Sequence, residues 1–222
     1  MLLVFDLDDT IYDEETFVDS GFWAVAQFGE DRFGWNSEKS FLYMKRMLER
    51  EGRGQVFDRW LAENGQATRA LVKKCVTIYH HHKPSIRLTE DTERLLFWLS
   101  RLHPLYVVTD GHKIVQKYKI EALGIKKYFR KVMITHQYGK HHAKPSTYCF
   151  ELIRRREGCN WEEMAYIGDN PYKDFVNLNP LGVLTVRVHT GAYRKVSVDS
   201  AYDAKYSIKS LADLTQVLPL SE

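Results

Sequence analysis

Two aspartates separated by one residue close a short apolar run: Leu2-Leu3-Val4-Phe5 leads into Asp6-Leu7-Asp8-Asp9-Thr10. A run of this length suits a strand buried on both faces, and at its end both acids can turn toward one crevice. Asp6 could then attack phosphorus to form an acyl-phosphate. Asp8 could protonate the leaving oxygen and later deprotonate the hydrolytic water. The same acids would equally serve a turn or a helix cap, so the pair alone leaves both readings open.

Three further groupings extend the chemistry. Val107-Val108-Thr109-Asp110-Gly111 offers a hydroxyl, backbone N–H groups and a glycine that permits close approach, a set able to cradle a phosphoryl oxygen. In Ala143-Lys144-Pro145 the proline disfavours a helical Lys144, leaving a loop from which the ammonium could reach a phosphate and the nucleophile. Ile167-Gly168-Asp169-Asn170-Pro171-Tyr172-Lys173-Asp174 supplies hard oxygen donors suited to Mg²⁺: Asp169 as a direct ligand with Asp6 and a backbone carbonyl near Asp8, and Asp174 in support through water or Lys144. Each also has a plain reading as a turn, a surface loop or a cap.

The elements that must position these residues alternate. After Pro84 the pattern predicts a helix near Glu90 to Leu102, a strand at Leu105 to Thr109, a helix near Lys113 to Leu123 and a strand at Lys131 to Thr135. A helix near Thr147 to Glu157, strands at Ala165 to Gly168 and Val183 to Val188, and a covering helix at Ser210 to Leu218 follow. Such alternation implies a parallel sheet with right-handed crossovers and helices on both faces, with ligands bound beyond the carboxyl ends of the strands. From about Phe17 to His82 the apolar spacing is helical throughout, punctuated by Gly34, Gly52, Gly54 and Gly65, and predicts about four helices. The expected organisation is an α/β core of residues 1–12 and 85–222, interrupted by an all-helical insertion at 13–84.

The chain has 222 residues, 44% of them hydrophobic, enough to bury a sizeable core without staples. Its net charge of +3 mildly favours an anionic ligand, and no block of like charge resembles a nucleic-acid arm. Cys75, Cys149 and Cys159 fit no metal-ligand spacing and read as free, packing thiols. With no basic segment followed by a long apolar run, the expectation is a soluble, cytoplasmic protein with no membrane partner, monomeric or homodimeric.

The order of the groupings, Asp-x-Asp-x-Thr, Thr-Asp-Gly, Lys-Pro and Gly-Asp-x-x-x-x-Asp over residues 6–174, resembles the four signature motifs of the haloacid dehalogenase superfamily. The resemblance implies a Rossmann-like core with a helical cap at the insertion. It further implies an Asp6 nucleophile, an Asp8 acid/base, and phosphate contacts from Thr109 and Lys144, with Thr10, Asp110 and Gly111 among the substrate-binding positions. Mg²⁺ would be held by Asp6, the Asp8 main chain and Asp169. The stretch Thr109-Asp110-Gly111, Gln116, Lys119, Leu123-Gly124-Ile125, Phe129, Gly139 and Lys144-Pro145 looks most like the branch containing pyrimidine 5′-nucleotidases and N-acylneuraminate-9-phosphatases. That branch usually has Asn where this chain has Asp110.

The expected activity is Mg²⁺-dependent hydrolysis of a small phosphomonoester, a nucleotide, sugar or sugar-acid phosphate. A phosphomutase that returns the phosphoryl group to a sugar is the rival within the same chemistry, and an idle binding module is the rival outside it. His80-His81-His82 reads as a solvated hinge and not a metal site, since consecutive helical side chains diverge. His136, His141 and His142 are candidate specificity residues. The aromatics of the insertion read first as core, and Lys45, Arg46 and Arg53 as its solvated face.

Overall fold

In chain order the elements are β1 (Leu2–Phe5), α1 (Glu14–Phe33), α2 (Ser37–Glu51), α3 (Val56–Glu63), α4 (Arg69–His81), α5 (Glu90–Leu102), β2 (Leu105–Thr109), α6 (Lys113–Leu123), β3 (Lys131–Ile134), α7 (Tyr148–Glu157), β4 (Met164–Gly168), β5 (Leu184–Val188) and β6 (Tyr206–Ile208). They come from a computed structural model that describes residues 1–218; residues 219–222 of the expected core lie outside the described residues. The chain divides into two units, Met1–Glu14 with Arg87–Glu222, and Glu15–Ile86.

The first unit holds one parallel sheet in the order β3-β2-β1-β4-β5-β6. Val4 lies between Tyr106 and Tyr166 in register, and every residue of β1, β2 and β4 is buried, which is why these strands read as unbroken apolar runs. The order steps outward from β1 to β3 and then jumps back to β4. Right-handed crossovers in opposite directions therefore place α6 and α7 on opposite faces of the sheet. On one face Phe150 and Ile153 of α7 pack against Leu2, Val4, Tyr106, Val108 and Tyr166. The reversal between β1 and β4 opens the crevice where the four motif loops emerge.

The second unit is helical. Val18, Phe22, Val25, Met44, Trp60 and Cys75 form its core, and Trp60 meets Trp35 edge-on with ring centroids 5.2 Å apart. Asn36 caps α2 by accepting the Lys39 N–H at 2.8 Å, and Thr68 caps α4 by accepting that of Leu71 at 3.2 Å. Lys45 is not simply a solvated cation, because it pairs with Asp19 at 2.6 Å and Glu15 at 2.5 Å.

The sequence pattern does not mark strand β6, and the helix expected at Ser210 to Leu218 is a 3₁₀ helix, Leu211–Gln216. Both elements are short, and the capping pair Ser210 and Asp213 gives the segment a helical start without enough apolar turns to continue it. The histidine run is also less solvated than expected: half-buried His82 packs on the Phe17 ring at 5.0 Å and its Nδ1 lies 2.7 Å from the Tyr79 carbonyl. The three cysteines are free thiols, and among the described residues no helix is long and apolar enough to cross a membrane.

Candidate active site

Asp6 follows β1 directly, and its N–H donates to the Ile167 carbonyl of β4 at 2.8 Å, which fixes the backbone at the mouth of the crevice. Its carboxylate is almost fully buried and pairs with the Lys144 ammonium at 2.9 Å. Lys144 also pairs with Asp174 at 2.8 Å and donates to the Tyr166 hydroxyl at 2.8 Å, and that hydroxyl donates to Asp174 at 3.0 Å. The peptide bond between Lys144 and Pro145 is cis. Burial alone would lower the Lys144 pKa, but Asp174 and Asp6 outweigh it and hold the ammonium well above its usual range.

Asp169 completes a group of three. Ligand oxygens of Asp6, Asp169 and Asp174 all lie within 4.8 Å of one another. Asp174 is already spent: Oδ1 takes Lys144 and Tyr166, and Oδ2 accepts the Asn170 N–H at 2.9 Å. Gly168 makes this possible, because a Cβ there would lie 2.5 Å from Asp174 Oδ2. Burial pushes Asp6 up to about 6 against the pull of Lys144, and burial with the neighbouring Asp6 and Asp174 pushes Asp169 up to about 9. Around Lys144 and Lys173, two cations, stand Asp6, Asp110, Asp169 and Asp174, four carboxylates. The excess of buried negative charge on hard oxygens suits a divalent cation such as Mg²⁺.

Asp8 lies apart from that cluster. Its Oδ1 accepts from the Tyr12 hydroxyl at 2.7 Å and pairs with Lys119 at 2.7 Å, while Oδ2 accepts from the Gln116 amide at 2.9 Å. Leu7, between the two acids, is fully buried. The buried Thr10 hydroxyl has no hydrogen-bond partner among the described residues.

The buried Thr109 hydroxyl ends β2 and accepts from Gln116 at 2.6 Å. Both oxygens of the Asp110 carboxylate have partners. Its Oδ1 accepts from the Thr135 hydroxyl at 2.7 Å and the Lys144 N–H at 3.1 Å, and its Oδ2 meets Lys173 at 3.4 Å. Burial would raise the Asp110 pKa, but Lys144 and Lys173 reverse the sign and hold it below its usual value. Gly111 adopts φ +132°, and a Cβ there would stand 3.2 Å from the Gln116 side chain. Its smallness makes room for Gln116 at least as much as for a phosphate.

Lys173, Tyr166, Gln116 and Lys119 were not singled out as functional. Gln116 and Lys119 stand three apart on α6 and are almost fully buried, so two polar residues on one inward helical face were the available signal. Tyr166 is hidden in an apolar strand and carried none. His142 stacks on Tyr148 with ring centroids 3.7 Å apart.

The haloacid dehalogenase-like hydrolase family matches residues 3–188. A glyceraldehyde 3-phosphate phosphatase of Methanocaldococcus jannaschii is 29% identical over 97% of this chain and 96% of its own, and one of Methanopyrus kandleri is 28% identical over 86% and 85%. In fold the chain is similar to the putative HAD-hydrolase YfnB of Bacillus subtilis, whose crystal structure is bound to magnesium (TM-score 0.72, 20% identity, 98% of each chain). It is also similar to a HAD phosphatase of Thermococcus onnurineus (TM-score 0.61, 22% identity, 99% and 98%). The chain belongs to the haloacid dehalogenase-like hydrolase family.

Proposed function

We propose that this hydrolase is a Mg²⁺-dependent phosphatase of small phosphorylated metabolites working through a phospho-Asp6 intermediate. The observation that carries the reading is the buried Asp6 carboxylate, paired with Lys144 and set within a few ångströms of Asp169 at the carboxyl end of the central strands. In the first half-reaction an Asp6 oxygen bonds to phosphorus, the bond to the leaving oxygen breaks, and the Asp8 carboxyl gives that oxygen its proton. In the second, water attacks the phosphoryl group, Asp8 takes the proton, and Asp6 departs as a free carboxylate. Lys144 stays charged throughout and offsets the negative charge gathered at Asp6 and the phosphoryl oxygens. The Thr10 and Thr109 hydroxyls and the backbone around Gly111 would face those oxygens.

Asp6, Asp169 and the Asp8 main-chain carbonyl would hold Mg²⁺, with Asp174 orienting Lys144. When bound, the ion neutralises charge on the phosphoryl oxygens. Selection among leaving groups is assigned to the helical unit, Glu15–Ile86, since the roles given to the core motifs all concern the phosphoryl group and its proton.

The relatives' named activity makes glyceraldehyde 3-phosphate the first substrate to try, beside nucleotide, sugar and sugar-acid phosphates. The test is phosphate release from this panel with Mg²⁺ and with a chelator, using the wild type and Asp6→Ala. Turnover that needs Mg²⁺ and vanishes in a folded Asp6→Ala supports the proposal; normal turnover by Asp6→Ala refutes it.

A further inference from the structure

Proton exchange with a leaving oxygen demands that the acid's own oxygen come within about 2.6–3.2 Å of it, in line with the breaking bond. A carboxylate on a loop does not hold such a direction unaided, and the Asp8 side chain is still 22% exposed. What surrounds it is asymmetric. Tyr12 comes from its own loop, whereas Gln116 and Lys119 come from α6, more than a hundred residues away in sequence. Both α6 side chains are buried, at 1% and 2% exposure, on the helix face that also carries the apolar Val115, Ile120 and Leu123.

Burying an ammonium and an amide there is costly unless every donor is used. The Lys119 ammonium bridges Asp8 at 2.7 Å and Glu14 at 3.0 Å. The Gln116 amide nitrogen bridges Asp8 Oδ2 at 2.9 Å and Thr109 Oγ1 at 2.6 Å. One helix therefore grips both oxygens of the Asp8 carboxylate and, through Gln116, the hydroxyl at the end of β2. Gly111 leaves the space in which Gln116 does so.

We propose that Gln116 and Lys119 are positioning residues that aim the Asp8 carboxylate for proton transfer, with Gln116 tying that aim to Thr109. The inference rests on the reading of Asp8 as the acid and base of a phosphatase. Both residues act through Asp8: their contacts are to its carboxylate, to Thr109 and to Glu14. Their loss misdirects a proton and leaves phosphoryl binding and the Asp6 attack in place.

The experiment compares an alkyl phosphate, whose leaving oxygen needs a proton, with 4-nitrophenyl phosphate, whose leaving group departs without one. Lys119→Met and Gln116→Met are each expected to lose about 30-fold in kcat/KM, which reports the phosphorylation half-reaction alone, on the alkyl substrate and less than about threefold on the aryl one. Lys119→Arg, which keeps a donor on Asp8, should recover most of the alkyl activity. A purely structural role would depress both substrates alike, and equal losses or no loss overturn the proposal. Turnover of the aryl phosphate reports folding in the same assay; if Lys119→Met does not fold, the Gln116→Met comparison decides. Asp8→Asn separates the two levels of argument. If it discriminates between the substrates and the α6 variants do not, positioning fails alone; if Asp8→Asn does not discriminate either, the reading of Asp8 fails and takes the inference with it.

Discussion

Asp110 and Lys173 meet at 3.4 Å between the loops that follow β2 and β4, so this carboxylate arrives with its own cation. An Asn at 110 could still accept from Thr135 and the Lys144 N–H but would no longer neutralise Lys173. Asp110→Asn should therefore tighten inhibition by inorganic phosphate by about fivefold, roughly 1 kcal/mol. Steady-state inhibition measures it, and weaker inhibition would show that Asp110 serves the phosphate directly.

The same carboxylate sets an acid limit. Its folded pKa lies below the unfolded value of about 3.9, so its contribution to stability is present above that pH and is lost as pH falls through the folded pKa. Asp110→Asn should flatten the fall in unfolding midpoint below about pH 4 and leave the neutral range unaffected by this titration. Thermal melts from pH 3 to pH 7 test it.

Lys144 holds two buried carboxylates apart from each other's charge. Lys144→Met should lower the unfolding free energy by about 3–5 kcal/mol and abolish turnover, because Asp6 and Asp174 are left buried without their shared cation. Urea titration gives the first quantity. A loss under 1 kcal/mol, by contrast, would mean that these groups relax to water.

Metal binding and pH are linked with the opposite sign to Asp110. Without metal, Asp6 near 6 and Asp169 near 9 favour the folded state in their protonated forms, so metal-free stability falls as pH rises from about 4 through both values. Mg²⁺ binds the ionised forms and displaces protons, so the rise in melting temperature on adding Mg²⁺ should be larger at pH 9 than at pH 6. Equal shifts at the two pH values would remove Asp169 from the metal site.

Gly111 tests the packing behind Thr109. Gly111→Ala introduces a Cβ at φ +132° against Gln116 and should destabilise the fold by about 1–3 kcal/mol. Turnover should fall with it, because Gln116 must move. Unchanged melting and turnover would show that the loop yields without disturbing Gln116.

The centre of the sheet is legible because β1, β2 and β4 are buried throughout, so Leu2–Phe5 and Leu105–Thr109 stand out as apolar runs ending in chemistry. The residues gathered around Lys144 were legible for a related reason: each motif ends such a run. Tyr206–Ile208 was not, since two of its three residues are exposed and no periodicity develops in so short a strand. Lys173 escaped notice because its partner, Asp110, lies 63 residues away and only the fold brings them together. Tyr166 looks like any core aromatic until the hydroxyl is seen between Lys144 and Asp174.

A sheet ordered β3-β2-β1-β4-β5-β6 has two open borders, and both are poor templates for another chain. Lys131 opens β3 as an exposed cation, and the three residues of β6 are flanked by Lys205 and the exposed Lys209. Lysines and a very short strand at a border raise the cost of edge-to-edge pairing, since a docking strand would have to desolvate charge for few hydrogen bonds. The lysines at the two borders thus disfavour aggregation through the protein's own sheet.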